Sequence, residues 1–182
     1  MPLAAPRYTI ADLERFPDDG NRYELLDGAL LVTPAPGPQH QVALGRLTMA
    51  LAGYLAPSGL AVITTPGVIQ LAEATQLEPD LLVVPARFAD SADWRGMGDW
   101  WLAVEVSGAA SRIYDRDFKT EAYLRLGVRE VWRIDLPERI LYRSRGATIR
   151  HAPETGRLTW HPPELDQPLF LDLGPILRPT SE

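Results

Sequence analysis

The chain has 182 residues, a formal net charge of -6 and an estimated pI of 5.1. An acidic molecule of this kind has no overall field that attracts nucleic acid, so a phosphate-bearing partner would require a local arginine patch or a bound divalent cation. The chain contains no cysteine, which excludes disulfides, thiolate nucleophiles and thiolate zinc sites. The length suits one domain over residues 1–182, with room for a substantial core.

The targeting signals of membrane and secreted proteins are missing from the sequence. No apolar stretch approaches the roughly 20 residues that span a bilayer. Residues 1–6 lack the basic segment and apolar core of a secretory signal. We therefore expect a cytoplasmic protein with no membrane partner.

The N-terminal part of the chain predicts a short helix followed by a β-hairpin. Thr9, with Asp12 three residues later, is a typical helix start, and this helix should end near Pro17. Residues 23–26 and 29–32 alternate as strands around Asp27-Gly28, a strong signal for a tight hairpin turn.

The remainder of the chain predicts two more helices and many strands. Apolar positions recur with a helical period over residues 39–56, and a second helix over 115–126 should end at Gly127. Strands are predicted at 60–64, 68–71, 81–84, 100–106, 130–135 and 140–144, with short β segments around Thr148, Leu158 and Leu169. Few helices against many strands indicate an α/β or α+β domain with a mixed central β-sheet flanked by helices.

Two carboxylates belong to apolar strands. Glu105 emerges within the predicted strand 100–106, where alternation would place Trp101 and Ala103 on the same face. Asp80 heads its own strand directly after a proline. A buried carboxylate requires a cation, hydrogen bonds or an open cleft. Taken singly, Asp80 has an alternative as a turn former at a strand edge, and Glu105 as the partner of an arginine.

Lys119 is the only lysine, because the other 17 of the 18 cationic residues are arginines. An ammonium group is compact and responds to its surroundings, whereas a guanidinium stays charged. Asp115 lies four residues earlier, which is also the spacing of an ordinary surface ion pair on a helix. Together with Lys119, Asp80 and Glu105 form the donor set of a metal-dependent phosphodiesterase. The two carboxylates would bind Mg²⁺ or Mn²⁺, and the amine would orient water or stabilise charge on the phosphate.

A resemblance to the PD-(D/E)xK nucleases supports this hypothesis. Pro79-Asp80 followed by Glu105-Val106-Ser107 resembles their core motif, with serine where the motif's lysine normally stands. In several branches of that superfamily the lysine has moved to the following helix, and Lys119 fits that variant.

The wider pattern resembles the Uma-two family, small bacterial proteins described as restriction endonucleases. Residues 23–28 match its Tyr-Glu-Leu-x-Asp-Gly hairpin, and residues 34–40 match its proline-rich loop with a histidine. Its pattern Asp-x-x-x-Lys-x-x-x-Tyr, then Gly-Val-x-Glu-x-Trp, is matched by Asp115, Lys119, Tyr123, Gly127, Val128, Glu130 and Trp132. The family commonly has Glu-Val-Leu-Ser-Pro-Ser where this chain reads Glu-Val-Ser-Gly-Ala-Ala over residues 105–110.

The resemblance implies a restriction-endonuclease-like core and a metal-dependent endonuclease. It implies Asp80 and Glu105 as metal ligands, joined by the Val106 carbonyl, and Lys119 as the residue that positions or activates the attacking water. Glu24 would be an accessory acidic residue. The implied cofactor is Mg²⁺, with Mn²⁺ as an alternative, and the implied substrate is nucleic acid, with DNA expected. A two-fold homodimer could address both strands of a duplex.

Two other functions remain open at this point. One is a binding or assembly protein that keeps the fold without turnover, and the other is a phosphodiesterase acting on nucleotides or RNA. For individual residues, His40 either caps a helix start or lies in the cleft, and Tyr123 is expected to position the Lys119 amine. Trp100, Trp101 and Trp132 are predicted core aromatics rather than platforms for base stacking.

Overall fold

Twelve strands and four α-helices are found in residues 7–108 and 118–179, which a computed structural model describes. The helices are α1 (Ile10–Leu13), α2 (Pro38–Leu55), α3 (Thr120–Leu126) and α4 (Gly174–Leu177). The strands are β1 (Arg22–Leu26), β2 (Ala29–Thr33), β3 (Ala61–Thr64), β4 (Ile69–Leu71), β5 (Thr75–Leu77), β6 (Leu81–Pro85), β7 (Leu102–Ser107), β8 (Val131–Asp135), β9 (Ile140–Arg145), β10 (Ile149–Glu154), β11 (Arg157–Trp160) and β12 (Leu169–Asp172). No helix in these residues is both long and apolar enough to cross a membrane.

A six-stranded sheet lies at the centre, with the strand order β10-β9-β8-β7-β6-β3. Every neighbouring pair is antiparallel except β7 and β8, which run parallel. Parallel neighbours need a crossover connection, and the segment containing α3 lies between these two strands in the chain. The predicted mixed central sheet flanked by helices is confirmed.

Both faces of the central sheet are covered, and its inner strands carry buried apolar side chains on both sides. On one face lie α2, α4 and the β11–β12 pair, which pack through residues such as Leu51, Trp132 and Trp160. On the other face lie α3 and a second sheet, which pack through residues such as Leu82 and Tyr123. The predicted assignment of the three tryptophans to the core is confirmed.

The second sheet has four antiparallel strands in the order β2-β1-β5-β4. Its β1–β2 hairpin turns at Asp27 and Gly28, whose φ angles of 50° and 82° are the left-handed values that a type I′ turn requires. Leu26 of β1 belongs to the core between the two sheets. Strand alternation therefore turns Arg22 and Glu24 toward the central sheet as well.

Some elements differ from the sequence predictions. Strand β5 and helix α4 were not predicted, because three- and four-residue elements carry too little periodicity. Strand β7 begins at Leu102, so the predicted alternation does not extend to the tryptophans before it. Trp101 packs with the opposite face to Glu105, and its predicted place on the Glu105 face is wrong. The predicted helix start at Asp115 lies outside the described residues.

Gly67 offers a test of how tightly β6 is packed near the end that carries Asp80. A Cβ atom at Gly67 would lie 2.3 Å from Cβ of Leu82, which is completely buried. We predict that Gly67→Ala lowers the free energy of unfolding by about 1–3 kcal/mol, because the backbone must move to accept the methyl group.

The matched control is Gly53→Ala in α2, where a Cβ atom would meet nothing within 4 Å. A helical glycine costs about 0.5–1 kcal/mol relative to alanine, so this variant should gain stability. Urea unfolding of both variants checks the prediction, and equal effects would contradict it.

Candidate active site

Asp80 directly precedes β6, and Glu105 lies in β7, the neighbouring strand of the central sheet. The β6–β7 ladder pairs Leu82 with Ala103 and Leu81 with Val104. One rung further, Asp80 stands opposite Glu105, on the face that looks toward the four-stranded sheet. Like charges at directly opposite positions repel each other, and the two residues are only 3% and 4% exposed. Cations and hydrogen bonds must therefore balance them.

Asp80 is held by three donors. Arg22 Nη1 lies 3.0 Å from Oδ1, His40 Nε2 lies 2.9 Å from Oδ2, and the Val106 N–H donates to Oδ2 at 2.8 Å. Val106 lies two residues beyond the last β6–β7 pair, so β6 does not occupy its N–H. Burial opposes ionisation of Asp80. The His40 hydrogen bond, the charges of His40 and Arg22, and the Val106 N–H together keep its pKa below the ordinary value.

Lys119 is buried between two carboxylates. Its Nζ lies 2.6 Å from Glu24 Oε2 and donates to Glu105 Oε1 at 3.3 Å, and the residue is 1% exposed. Glu24 is held in turn, because its Oε1 accepts the N–H of Glu78 at 2.7 Å. The alternative of a surface ion pair is wrong for Lys119, since the amine is not on the surface. Asp115 lies outside the described residues.

Tyr123, one helical turn after Lys119, donates its hydroxyl hydrogen to Glu105 Oε1 at 2.5 Å. Burial and the negative charge of Glu105 raise the pKa of Tyr123 well above its ordinary value, so the phenol remains a hydrogen-bond donor. The sequence prediction had Tyr123 acting on the amine. The structure places it on the carboxylate to which the amine also binds.

An open cleft of about 390 Å³ lies beside Asp80, Glu105 and Lys119. Four of the predicted site residues border it, namely Asp80, Glu105, Val106 and Lys119. Arg22, His40 and the proline-rich segment 33–38 border it as well. His40 therefore lies in the cleft, as one of the two sequence-based alternatives expected. Glu24 is fully buried and is not among the bordering residues, so it reaches the cleft through Lys119.

The donor chemistry of the cleft suits a hard divalent cation. In residues 7–108 and 118–179, no group of three or more His, Asp or Glu side chains is arranged as a metal site. The oxygen donors that the sequence predicts for the cation are the carboxylates of Asp80 and Glu105 and the backbone carbonyl of Val106, and all three residues border the cleft. Mg²⁺ needs only one or two carboxylates, because waters and substrate phosphate complete its coordination. The residues fit such an ion, which would share the Asp80 carboxylate with Arg22 and His40.

The fold is that of restriction-endonuclease-like nucleases. The chain is similar to the crystal structure of "a putative nuclease belonging to DUF820" from Anabaena variabilis ATCC 29413, with a TM-score of 0.68. The likeness covers 93% of this chain and 97% of the other at 14% sequence identity, which shows the fold.

The chain belongs to the Uma-two (Uma2) family. The family model, described as "Putative restriction endonuclease", matches residues 10–179. A comparison with curated proteins found no match. Family membership supports a nuclease function, that is, a hydrolase acting on phosphodiester bonds.

Arg22 was not predicted as a site residue, although the sequence carries a signal for it. Arg22 lies two residues before Glu24 on a predicted strand, so alternation places both side chains on one face. Which face that would be depends on how the hairpin docks against the central sheet, and the local sequence does not carry that information.

The buried cation can be tested through stability. Lys119→Met would leave Glu24 and Glu105 buried without their common partner, and we expect a loss of about 3–5 kcal/mol in the free energy of unfolding at neutral pH. The control is Arg125→Met, whose 2.7 Å ion pair with Asp27 is exposed and should be worth less than about 1 kcal/mol. Urea unfolding in EDTA measures both, and similar losses would speak against a buried ion-pair cluster.

The low pKa of Asp80 predicts a specific acid sensitivity. Since the folded value lies below the ordinary 3.8, the unfolded chain binds this proton more readily. The stability that Asp80 contributes is therefore present above the ordinary value and is lost as the pH falls through the folded value. In EDTA, at pH values below the ordinary pKa of an aspartate, the free energy of unfolding should fall less steeply with falling pH for Asp80→Asn than for the wild type. If the free energy of unfolding fell equally steeply with falling pH in both proteins, the low pKa of Asp80 would be contradicted.

Proposed function

We propose that this protein is a Mg²⁺- or Mn²⁺-dependent endonuclease that hydrolyses phosphodiester bonds in DNA. The observation that carries the proposal is the position of the chain's only lysine. Lys119 is buried between Glu24 and Glu105 at a cleft that Asp80 also borders. A structural ion pair alone would not need a lysine in a chain that otherwise uses only arginine.

In this proposal Asp80 and Glu105 hold the cation, with help from the Val106 carbonyl. Bound there, a divalent cation would polarise a phosphoryl oxygen and lower the pKa of a coordinated water. Asp80 is well suited to the task because it stays ionised at low pH, and because the Val106 N–H fixes one of its oxygens.

Lys119 acts on the reacting water and phosphate. Its ammonium can donate a hydrogen bond to the attacking water or to a nonbridging phosphate oxygen, where negative charge grows in the transition state. The water oxygen forms the new bond to phosphorus. The leaving oxygen departs with the electron pair of the broken bond and takes up a proton, while the water releases one to solvent.

Glu24 and Tyr123 act as positioning residues. Glu24 holds the ammonium from the side away from the cleft, and Tyr123 fixes the Glu105 oxygen that Lys119 also contacts. Both are completely buried, so their geometry is set by packing rather than by solvent.

DNA as the substrate is supported by the family's description as a restriction endonuclease. Homodimerisation stays a prediction, because a two-fold pair of sites would address both strands of a duplex. The alternative of a binding or assembly protein that keeps the fold without turnover differs from this proposal in a measurable way.

The test is nicking of supercoiled plasmid with Mg²⁺, Mn²⁺ or EDTA. We expect metal-dependent nicking by the wild type, and a rate about 10²–10³-fold lower for Lys119→Ala, because a preorganised donor to the transition state is lost. Arg125→Ala should cut like the wild type, and Lys119→Arg serves as a comparison that retains the buried charge. Equal, metal-independent cutting by the wild type and Lys119→Ala would indicate contamination and refute the mechanism.

Metal binding is measured separately from turnover. Mn²⁺ should raise the melting temperature of the wild type, and Asp80→Asn or Glu105→Gln should remove that shift. A preserved shift with no nicking of any plasmid would favour the binding protein instead.

A further inference from the structure

We propose that Arg22 binds a phosphate of the substrate strand beside the catalytic cleft. This inference rests on the proposed function, because it assumes that the substrate is a nucleic acid. Arg22 is not one of the predicted catalytic residues Asp80, Glu105 and Lys119. Phosphate binding would be a second role for Arg22, in addition to its ion pair with Asp80.

The first observation is the unused part of the guanidinium. Within the described part of the chain, both hydrogen bonds of Arg22 use Nη1, one to the Glu78 carbonyl at 2.9 Å and one to Asp80 Oδ1 at 3.0 Å. An arginine has five N–H donors in a rigid fork, so the hydrogens on Nη2 and Nε can serve a second acceptor. The fork matches the spacing of two phosphate oxygens.

The second observation is access. Arg22 and Lys119 are the fixed cations among the described residues that border the catalytic cleft. The Lys119 side chain is 2% exposed and lies between two carboxylates, whereas the Arg22 side chain is 21% exposed. Since the whole molecule is acidic, a phosphate approaching this cleft meets Arg22 as its accessible positive group.

The third observation is that Arg22 lies where three open clefts meet. It borders the catalytic cleft, a second cleft of about 430 Å³ between α2 and the segment at Thr65 and Pro66, and a shallow third one of about 750 Å³ beside β1. His40 and Asp80 also border the first and second clefts. A mononucleotide would need only one of these spaces. A polymer that continues from one cleft into the next must pass over Arg22, so the geometry favours a strand with phosphates on both sides of the site.

The test measures binding of a fluorescein-labelled DNA oligonucleotide by anisotropy in EDTA, where no hydrolysis is expected. We expect Arg22→Gln to raise Kd about tenfold or more, since a charge-assisted hydrogen bond is lost. The slope of log Kd against log salt should fall by roughly one phosphate contact. Arg22→Lys, which keeps the charge but not the fork, should be intermediate.

The matched control is Arg125→Gln, which removes the same charge from an exposed ion pair with Asp27 at a residue that borders none of the three clefts. Its Kd should stay within about twofold of the wild type, as a single surface charge away from the strand has little effect in screening salt. Melting temperatures confirm that each variant is folded. If Arg22→Gln fails to fold, Arg22→Lys against the wild type carries the comparison.

A second readout separates phosphate binding from mere support of Asp80. Arg22→Gln should keep the Mn²⁺-induced rise in melting temperature, because removing a cation makes the carboxylate pair more attractive to a divalent ion. Loss of both the Mn²⁺ shift and the oligonucleotide affinity would show that Arg22 only organises Asp80, and would overturn the proposal. Unchanged oligonucleotide affinity would overturn it as well.

Failure of the proposed function is distinguishable from failure of this inference. If the wild type binds the oligonucleotide through Arg22 but never nicks plasmid, the nuclease proposal fails and the role of Arg22 stands. If the wild type nicks with metal and Arg22→Gln binds normally, only the inference fails. A wild type that neither binds the oligonucleotide nor nicks plasmid overturns both, and one that nicks plasmid without binding the oligonucleotide overturns only the inference.

Discussion

The repulsion between two buried carboxylates at opposed positions of the central sheet, Asp80 and Glu105, is the constraint on which the rest of the site depends. Asp80 and Glu105 face the same side of the central sheet with almost no solvent to screen them. Cations and hydrogen-bond donors around the two carboxylates offset that repulsion. Arg22, His40 and a backbone N–H act on Asp80, while Lys119 and Tyr123 act on Glu105. In the proposed function, a divalent cation would relieve the remaining repulsion directly.

Glu105 and the amine of Lys119 come from different elements, although a single strand could have carried both an acidic residue and a lysine. Ser107, at the motif position where a lysine normally stands, is completely buried in β7. The amine comes instead from the residue that precedes α3, and it reaches the carboxylates from another element. Because Glu24 on β1 also forms an ion pair with this amine, Lys119 connects three parts of the structure: the central sheet, the four-stranded sheet and the helical segment. Its geometry therefore depends on how these pieces dock against one another.

The sequence was most informative where the physical signal is local. The Asp27-Gly28 turn, the long apolar period of α2 and the strands that carry Asp80 and Glu105 follow from turn chemistry and alternation, and the structure has all of them. The meeting of Lys119 with Glu105 was expected from the family resemblance, which supplies the non-local information that alternation lacks. The role of Arg22, the contact of Tyr123 with Glu105 and the reversed face of Trp101 depend on docking between layers and on where β7 begins. A local sequence pattern does not determine how the layers dock or where β7 begins. The three-residue strand β5 is too short to show any period.

The ion pair between Lys119 and Glu24 joins residues separated by about half the length of the chain. On a ribosome, the hairpin and the strands that bear the acids would emerge first, when Glu24 and Glu105 still lack the amine that they share. Hydrolytic capacity would then arise only once the segment bearing Lys119 had left the exit tunnel and the layers had closed on it. In the proposed function, an unfinished chain would therefore lack the amine that acts on the reacting water.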